Sequence, residues 1–255
     1  VCTEFAGRRG AALVLGAGGG LGAAIAGEFA AGGSAVALTY RRDSARVERL
    51  LAGPGGPARR GYHLDLTDAP ACAAVADAVA SDFGGIHTLV YAAGPHVPMV
   101  HLSTVSPEQF RAQLDGDAAA FFNAVRPALP HLRTGRGSIV AVTTAATRRY
   151  PVRDGLSAAS KGAVEALVRG LAAEEGRFGV RANCVGPGML TDGMAQRLIE
   201  SGELDERAQA AARANIPLRR FGTAADVAAA VCFLASDRAG YISGQKLDVD
   251  GGFGV

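Results

Sequence analysis

Leu15-Gly16-Ala17-Gly18-Gly19-Gly20-Leu21-Gly22 is the stretch that decides the fold. The apolar run Ala11 to Leu15 leads into it, and a helix-period face of Leu21, Ile25 and Phe29 leads out. It is therefore a glycine turn between a strand and a helix. Glycine reaches positive φ and lets a phosphate come close to the backbone amides. The helix behind it aims unpaired N–H groups and partial positive charge at the same spot. The G-x-x-x-G-x-G spacing of Gly16, Gly20 and Gly22, with Gly18 between, predicts a dinucleotide site, with Leu21 among its contacts. A plain tight turn is the competing reading in a chain with 35 glycines. The flanking strand and helix weigh against it.

With 255 residues and 49% hydrophobic content the chain can bury one large core, and a single α/β domain spanning 1–255 is expected. No run of about 18 apolar residues occurs, so a membrane span is not expected. Val1-Cys2-Thr3-Glu4 opens without a basic-then-apolar pattern, so the expected location is cytoplasmic. Cys2, Cys72, Cys184 and Cys232 are scattered, which reads as incidental thiols and no metal site. At net charge +2, with acids and bases interleaved, a nucleic-acid partner is not implied; the partner expected is a small-molecule substrate. Only Lys161 and Lys246 are lysines among 26 basic residues. In a chain that otherwise uses arginine, each hints at a need for a compact ammonium.

Apolar runs alternate with helix-period stretches along the whole chain. Strands are expected at Ala11–Leu15, Ser34–Tyr40, up to Leu64-Asp65-Leu66, His87–Ala92, Ser138–Thr143, Val180–Val185 and Lys246–Val249. Seven strands alternating with helices predict a doubly wound, Rossmann-type parallel sheet. Asp68 and Ser106 read as helix caps, with Gln109 completing a capping box. The helix from Pro107 is expected to bend or end near Pro127 and Pro130. Residues 189–220 interrupt the alternation, and a substrate lid is expected at about 189–215.

The residue ending the second strand of such a unit meets the adenosine ribose. An acid there bonds a free 2′-hydroxyl, whereas arginine accommodates a 2′-phosphate. Tyr40 stands in the acid's place and Arg41-Arg42 follow. This favours NADP(H) over NAD(H), against the plainer reading of a solvated helix start. Asp65 lies at a strand's carboxyl edge, where open parallel sheets bind ligands.

These residues resemble the short-chain dehydrogenase/reductase family over nearly the whole chain. Leu64-Asp65-Leu66-Thr67-Asp68 is similar to its D-x-x-D region, which implies Asp65 and Leu66 as adenine contacts. Leu89-Val90-Tyr91-Ala92-Ala93-Gly94 matches its L-V-N-N-A-G with both asparagines replaced, and places Ala93 and Gly94 at the cofactor. Asn183-Cys184-Val185-Gly186-Pro187-Gly188 and Thr191 match its N-x-V-x-P-G and following threonine, implying Pro187, Gly188 and Thr191 near the nicotinamide. Ile242-Ser243-Gly244-Gln245 through Asp250-Gly251-Gly252 resembles its C-terminal signature, a tetramer-forming edge, so the resemblance implies a homotetramer or homodimer.

The family's catalytic set is Asn, Ser, Tyr and Lys, and only the lysine is kept, as Lys161. Ser157 stands four residues before it in the tyrosine's place, Thr144 at the serine's, and Asp117 at the asparagine's. A phenol has a reference pKa of about 10 that nearby charge can lower. A serine hydroxyl is a far weaker acid and falls short by most of a ring. Thr144 can still orient a carbonyl, Asp117 would alter a water relay to Lys161, and Lys161 can still bond the nicotinamide ribose. His96, beyond Gly94, and Tyr150, between Thr144 and Ser157, are candidate replacement acids. His101 is a weaker one. Arg148, Arg149 and Arg153 crowd the same loop, as anion readers or as a solvated surface. The expected activity is NADPH-dependent carbonyl reduction with a non-standard site. The alternatives are a dehydratase, cyclase or isomerase on the same fold, or a non-catalytic NADP(H)-binding subunit.

Overall fold

The computed structural model describes residues 4–42, 44–53, 56–191 and 206–255. Strand β1 (Ala11–Leu15) is buried along its length. Its period-two alternation splits it between two cores, Ala12 and Val14 joining one and Ala11, Leu13 and Leu15 the other. With β2 (Ala35–Tyr40), β3 (Arg59–His63), β4 (Ile86–Tyr91), β5 (Ser138–Val142), β6 (Arg181–Pro187) and β7 (Lys246–Val249) it forms one parallel sheet. The order is β3-β2-β1-β4-β5-β6-β7, the doubly wound sheet expected.

The helices, in chain order, are α1 (Gly20–Ala31), α2 (Ser44–Leu51), α3 (Ala69–Phe83), α4 (Pro107–Leu114), α5 (Ala120–Gly135), α6 (Gly155–Glu175), α7 (Glu206–Ala214) and α8 (Ala224–Ala235). α1 and α8 cover one face through Ile25, Phe29, Val227 and Val231. α3, α5 and α6 cover the other through Val79, Phe121, Val125, Val164 and Val168. Each fully buried side chain of this size contributes about 1.5–3 kcal/mol. From β1 the chain winds outward to β3, then returns to β4 on the opposite side of β1. That reversal opens a crevice at the carboxyl ends of β1 and β4, where ligands of such sheets bind. No helix among the described residues is long and apolar enough to cross a membrane.

The caps form as expected: Asp68 accepts from the Ala71 amide, and Ser106 and Gln109 make a reciprocal capping box. Two expectations are corrected. β3 ends at His63, so Asp65 lies in the turn beyond it. The helix does not stop at its prolines, since α5 runs through Pro127 and Pro130 to Gly135. Its buried face of Ala124, Val125, Ala128 and Leu132 outweighs the two lost N–H donors, and Pro130 sits on the exposed side. Between α4 and α5 the chain makes a π-helical turn, Asp115–Ala119. This widened turn carries Asp117 into the crevice.

Candidate active site

The glycine loop is shaped by close backbone approach. Gly16 has φ +88, and a Cβ on Gly22 would lie 2.3 Å from the Gly16 carbonyl oxygen. A Cβ on Gly16 would meet the Ala92 carbonyl oxygen at 2.9 Å. Thr39 of β2 pins the turn, its Oγ1 accepting from the Gly16 amide at 3.2 Å and its carbonyl from the Ala17 amide at 2.8 Å. Gly19 is the N-cap of α1 and gives it no side-chain cap, leaving the first amides for an anion. The cradle therefore fits a phosphate group. Gly18 and Gly20 lie partly exposed along it, while the Leu21 side chain packs into the core beneath.

At the carboxyl end of β2, Arg41 and Arg42 are exposed. Arg41 Nη1 lies 3.6 Å from Asp65 Oδ2. The Asp65 carboxylate accepts from the backbone and hydroxyl of Thr67, which holds its pKa below the ordinary value, with Arg41 adding to the effect. An exposed pair of this kind is weak, so Arg41 remains able to swing to another anion. Leu66 packs against the second core and its carbonyl accepts from Asn123 Nδ2.

The centre of the crevice is an ion pair. Lys161 Nζ lies 2.8 Å from Asp117 Oδ1 and donates to the Ala93 carbonyl oxygen at 3.1 Å. The Asp117 side chain is 1% exposed and that of Lys161 13%. Ser160 Oγ donates to Asp117 Oδ2 at 2.8 Å, and Gln113 Nε2 donates to Ser160 Oγ. From below, the Tyr91 hydroxyl reaches the Asp117 backbone oxygen at 2.9 Å and Oδ1 at 3.0 Å. Gly94 lies close against the lysine: a Cβ there would come within 3.3 Å of Lys161 Nζ. The structure thus brings Asp117, Lys161, Ala93 and Gly94 together, all expected at one site.

Thr144 lies on the β5–α6 connection and Ser157 on α6, one turn before Lys161. Thr144 Oγ1 accepts from the Ala146 amide at 3.1 Å. The candidate replacement acids lie further out. Tyr150 is 57% exposed with its hydroxyl 3.4 Å from the Gly155 carbonyl oxygen. His96 is exposed, and His101 Nε2 receives Arg153 Nε at 3.4 Å. Arg148 and Arg149 are exposed; Arg148 lies 3.8 Å from Asp248, and Arg149 donates to the Phe253 carbonyl oxygen.

Beyond β6, a Cβ on Gly188 would strike Asp250 at 2.8 Å, and Pro187 is the strand's last, buried residue. Thr191 bonds the Gly222 carbonyl oxygen through its amide at 2.9 Å. Of the expected lid, residues 192–205 lie outside the described residues. Lys246, the second lysine, contacts Thr147 Oγ1 at 2.5 Å, Asp248 Oδ1 at 3.0 Å and Glu165 Oε1 at 3.4 Å. Both lysines therefore sit beside buried carboxylates, the setting the arginine bias hinted at. Cys72, Cys184 and Cys232 are buried free thiols, and burial pushes the Cys184 thiol up to about 12. Cys2 is outside the described residues.

Sequence reasoning missed the groups that hold Asp117. Tyr91 is wholly buried, and desolvation first, then Asp117, raises its pKa well above the ordinary value. A hydroxyl-bearing ring at the carboxyl end of the buried strand was the available signal. Arg46 was missed as well: a Cβ on Gly20 would lie 3.3 Å from its Nη1, so its guanidinium borders the glycine loop.

This sheet, its glycine crevice and the lysine on α6 define a nucleotide-binding α/β enzyme fold. A family model described as enoyl-(acyl carrier protein) reductase matches residues 16–254. A short chain dehydrogenase/reductase of Aspergillus aculeatus is 34% identical over 251 residues, 94% of each chain. The versicolorin reductase of Emericella nidulans is 32% identical over 249 residues, again 94% of each. A short chain dehydrogenase from Burkholderia cenocepacia J2315, solved in complex with NADP, superposes with a TM-score of 0.87 at 32% identity, covering 99% of this chain and 100% of the other. The chain belongs to the short-chain dehydrogenase/reductase family.

Proposed function

We propose that this chain is an NADPH-dependent carbonyl reductase whose active site works without the family's tyrosine. The glycine cradle carries the cofactor half of this reading: at Gly16 and Gly22 a single methyl group would collide with backbone. Gly16, Gly18, Gly20, Leu21 and Gly22 would hold the pyrophosphate, Arg41 and Arg42 the 2′-phosphate, and Asp65 with Leu66 the adenine. Ala93, Gly94, Lys161, Pro187, Gly188 and Thr191 would border the nicotinamide. The NADP held by the Burkholderia relative supports the same choice here. Bound NADPH supplies a hydride.

The chain's own residues do the rest. Thr144 offers a hydroxyl to orient the substrate carbonyl. Lys161 bonds the nicotinamide ribose, and Asp117 fixes its ammonium in place. Ser157 occupies the tyrosine's place, so proton donation to the carbonyl oxygen needs another source, a step worth about 10²–10⁴ in rate. The outer edge of β7, with Leu247 and Tyr241 exposed beside it, supports self-association as a dimer or tetramer.

Titration calorimetry with NADPH and NADH tests the cofactor assignment. NADPH binds more tightly to the unmodified protein, and Arg41→Ala with Arg42→Ala removes the preference; equal affinities at the outset refute it. The reaction is tested by following NADPH absorbance over a ketone panel. Substrate converted with no NADPH consumed would instead identify a dehydratase, cyclase or isomerase, the reading that the absent phenol favours.

A further inference from the structure

We propose that the C-terminal segment 246–254 positions Thr144: Lys246, Asp248 and Phe253 hold the residues that follow the Thr144 turn and so set where the threonine hydroxyl stands. The inference rests on the carbonyl-reductase reading, in which Thr144 orients the substrate carbonyl, and adds the residues that keep it in place. Thr144 caps a single 3-10 turn, Ala145–Thr147, on the β5–α6 connection. The Thr147 hydroxyl lies 3.2 Å from the Thr144 carbonyl oxygen. The Arg148 and Arg149 amides both donate to the Ala145 carbonyl oxygen, at 2.9 and 3.2 Å. A turn this short is not stable by itself. Its place is set by what holds Thr147, Arg148 and Arg149.

All three are held from the one segment. Lys246 Nζ lies 2.5 Å from Thr147 Oγ1, and Thr147 Oγ1 lies 2.8 Å from Glu165 Oε1 of α6. The same ammonium is 3.0 Å from Asp248 Oδ1 and 3.4 Å from Glu165 Oε1, and Arg148 Nη1 is 3.8 Å from Asp248 Oδ2. Two cations thus face two carboxylates. Lys246, Glu165 and Asp248 are largely buried, and a buried set keeps its geometry because leaving one member unpaired is costly. Lys246 and Asp248 share one face of β7 and meet β6 at Gly186, where a Cβ would lie 2.5 Å from Lys246 Cε and 2.3 Å from Asp248 Oδ1. Arg149 is held twice by Phe253. Its Nη1 donates to the Phe253 carbonyl oxygen at 2.7 Å, and its guanidinium lies 4.6 Å from the ring centroid.

The holding segment is itself fixed. Past β7 the Asp250 carboxylate accepts from the Gly252 and Gly254 amides at 2.9 and 2.7 Å. Gly251 and Gly252 take left-handed φ of +66 and +88, where a Cβ would lie 2.7 Å from Ile216 and 3.0 Å from Pro217, respectively. The chain is thereby folded into a tight turn against Ile216 and Pro217 that presents Phe253 to Arg149. A Cβ on Gly254 would lie 3.2 Å from Arg148 Cδ, so the turn also packs against the arginine stem. Lys246, Asp248 and Phe253 are positioning residues: they act on the substrate carbonyl through Thr144.

Arg149→Ala and Phe253→Ala remove the exposed arm of this clamp and leave the buried Lys246 set intact. Hydrogen exchange read by mass spectrometry on the full chain without cofactor is the first measurement. The peptide over 144–150 should exchange about tenfold faster in Arg149→Ala, which loses a charge-assisted hydrogen bond, with β1 unchanged. Phe253→Ala keeps the carbonyl and loses only the ring, so about threefold is expected. Unchanged exchange in both variants overturns the clamp, whatever the kinetics. The second measurement is NADPH oxidation with phenanthrenequinone and acetophenone, uncharged probes for which a lost anion contact cannot mimic the effect. Arg149→Ala should lower kcat/KM for the ketone about fivefold, less than the hundredfold a 1 Å misplacement can cost, with calorimetric NADPH affinity unchanged. In a Thr144→Ala background the same substitution should cost nothing further, because no threonine hydroxyl remains to be positioned. An equal loss in both backgrounds overturns the proposal and leaves the reductase reading standing. NADPH bound but never oxidised, with exchange raised as expected, refutes the reductase reading and leaves the clamp on the loop.

Discussion

Replacing Asp117 with alanine tests whether the ion pair in the crevice is closed off from water. The Asp117 side chain is 1% exposed and accepts from Lys161 at 2.8 Å, Ser160 at 2.8 Å and Tyr91 at 3.0 Å. Removing one member of a buried pair costs about 3–5 kcal/mol, because the other charge is left without compensation. Lys161 keeps its bond to the Ala93 carbonyl, the face of the Tyr91 ring at 5.1 Å and some contact with water, which argues for the lower end. A loss of about 3 kcal/mol lowers Tm by about 6–12 °C in a chain of this size. Asp117→Asn keeps an acceptor for Lys161 and Tyr91 and gives up only the charge, so it should fall by about half as much. The chain has no tryptophan, so urea unfolding is best followed by far-ultraviolet circular dichroism. Adding Lys161→Met to Asp117→Ala should recover part of the loss, since no unpaired ammonium then remains. A change below about 1 kcal/mol for Asp117→Ala would refute the reasoning, since that is the range of exposed pairs.

Three further outcomes follow from the same structure. Gly22→Ala places a methyl 2.3 Å from the Gly16 carbonyl oxygen, so calorimetry should show NADPH affinity falling at least about tenfold, with unchanged affinity counting against the cradle. Asp154 has a native pKa of about 6 against 3.8 unfolded, so its contribution to stability is fully present below about 4 and is lost as pH rises through 6. Asp154→Asn should therefore stabilise the protein at pH 7 by about 1–2 kcal/mol, discounted for partial exposure, and by nothing near pH 3.5, as urea midpoints at the two pH values would show. Lys246→Met removes the ammonium beside the Glu165 and Asp248 carboxylates, which keep Thr147 Oγ1 at 2.8 Å and Arg148 at 3.8 Å, and should cost at most about 3 kcal/mol in the same assay; a neutral result would mean water reaches them.

The order of elements was readable because each apolar run in the sequence is short and several helices begin with a local signal. Asp68 and the Ser106–Gln109 box are local chemistry, and local chemistry survives in a linear string. Pro127 and Pro130 misled because their effect is opposed by burial of the neighbouring turn, which only the packed sheet supplies. The π-helical turn at Asp115–Ala119 has no periodic mark of its own. Within the site, Asp117, Ala93 and Gly94, placed by motif spacing, lie against Lys161. The partners that orient them did not announce themselves, because Tyr91 and Asp117 are 26 positions apart and Gln113 and Ser160 47.

α6 carries Lys161 and Glu165 one turn apart, and each is paired outside the helix, the first with Asp117 and the second with Lys246. An evolving lineage that alters one member of either pair passes through an intermediate with an orphaned charge. The two halves of each pair are thus expected to change together or not at all. Engineering the pocket towards new substrates should accordingly explore Asp117 with Lys161, and Glu165 with Lys246, as joint positions in a library.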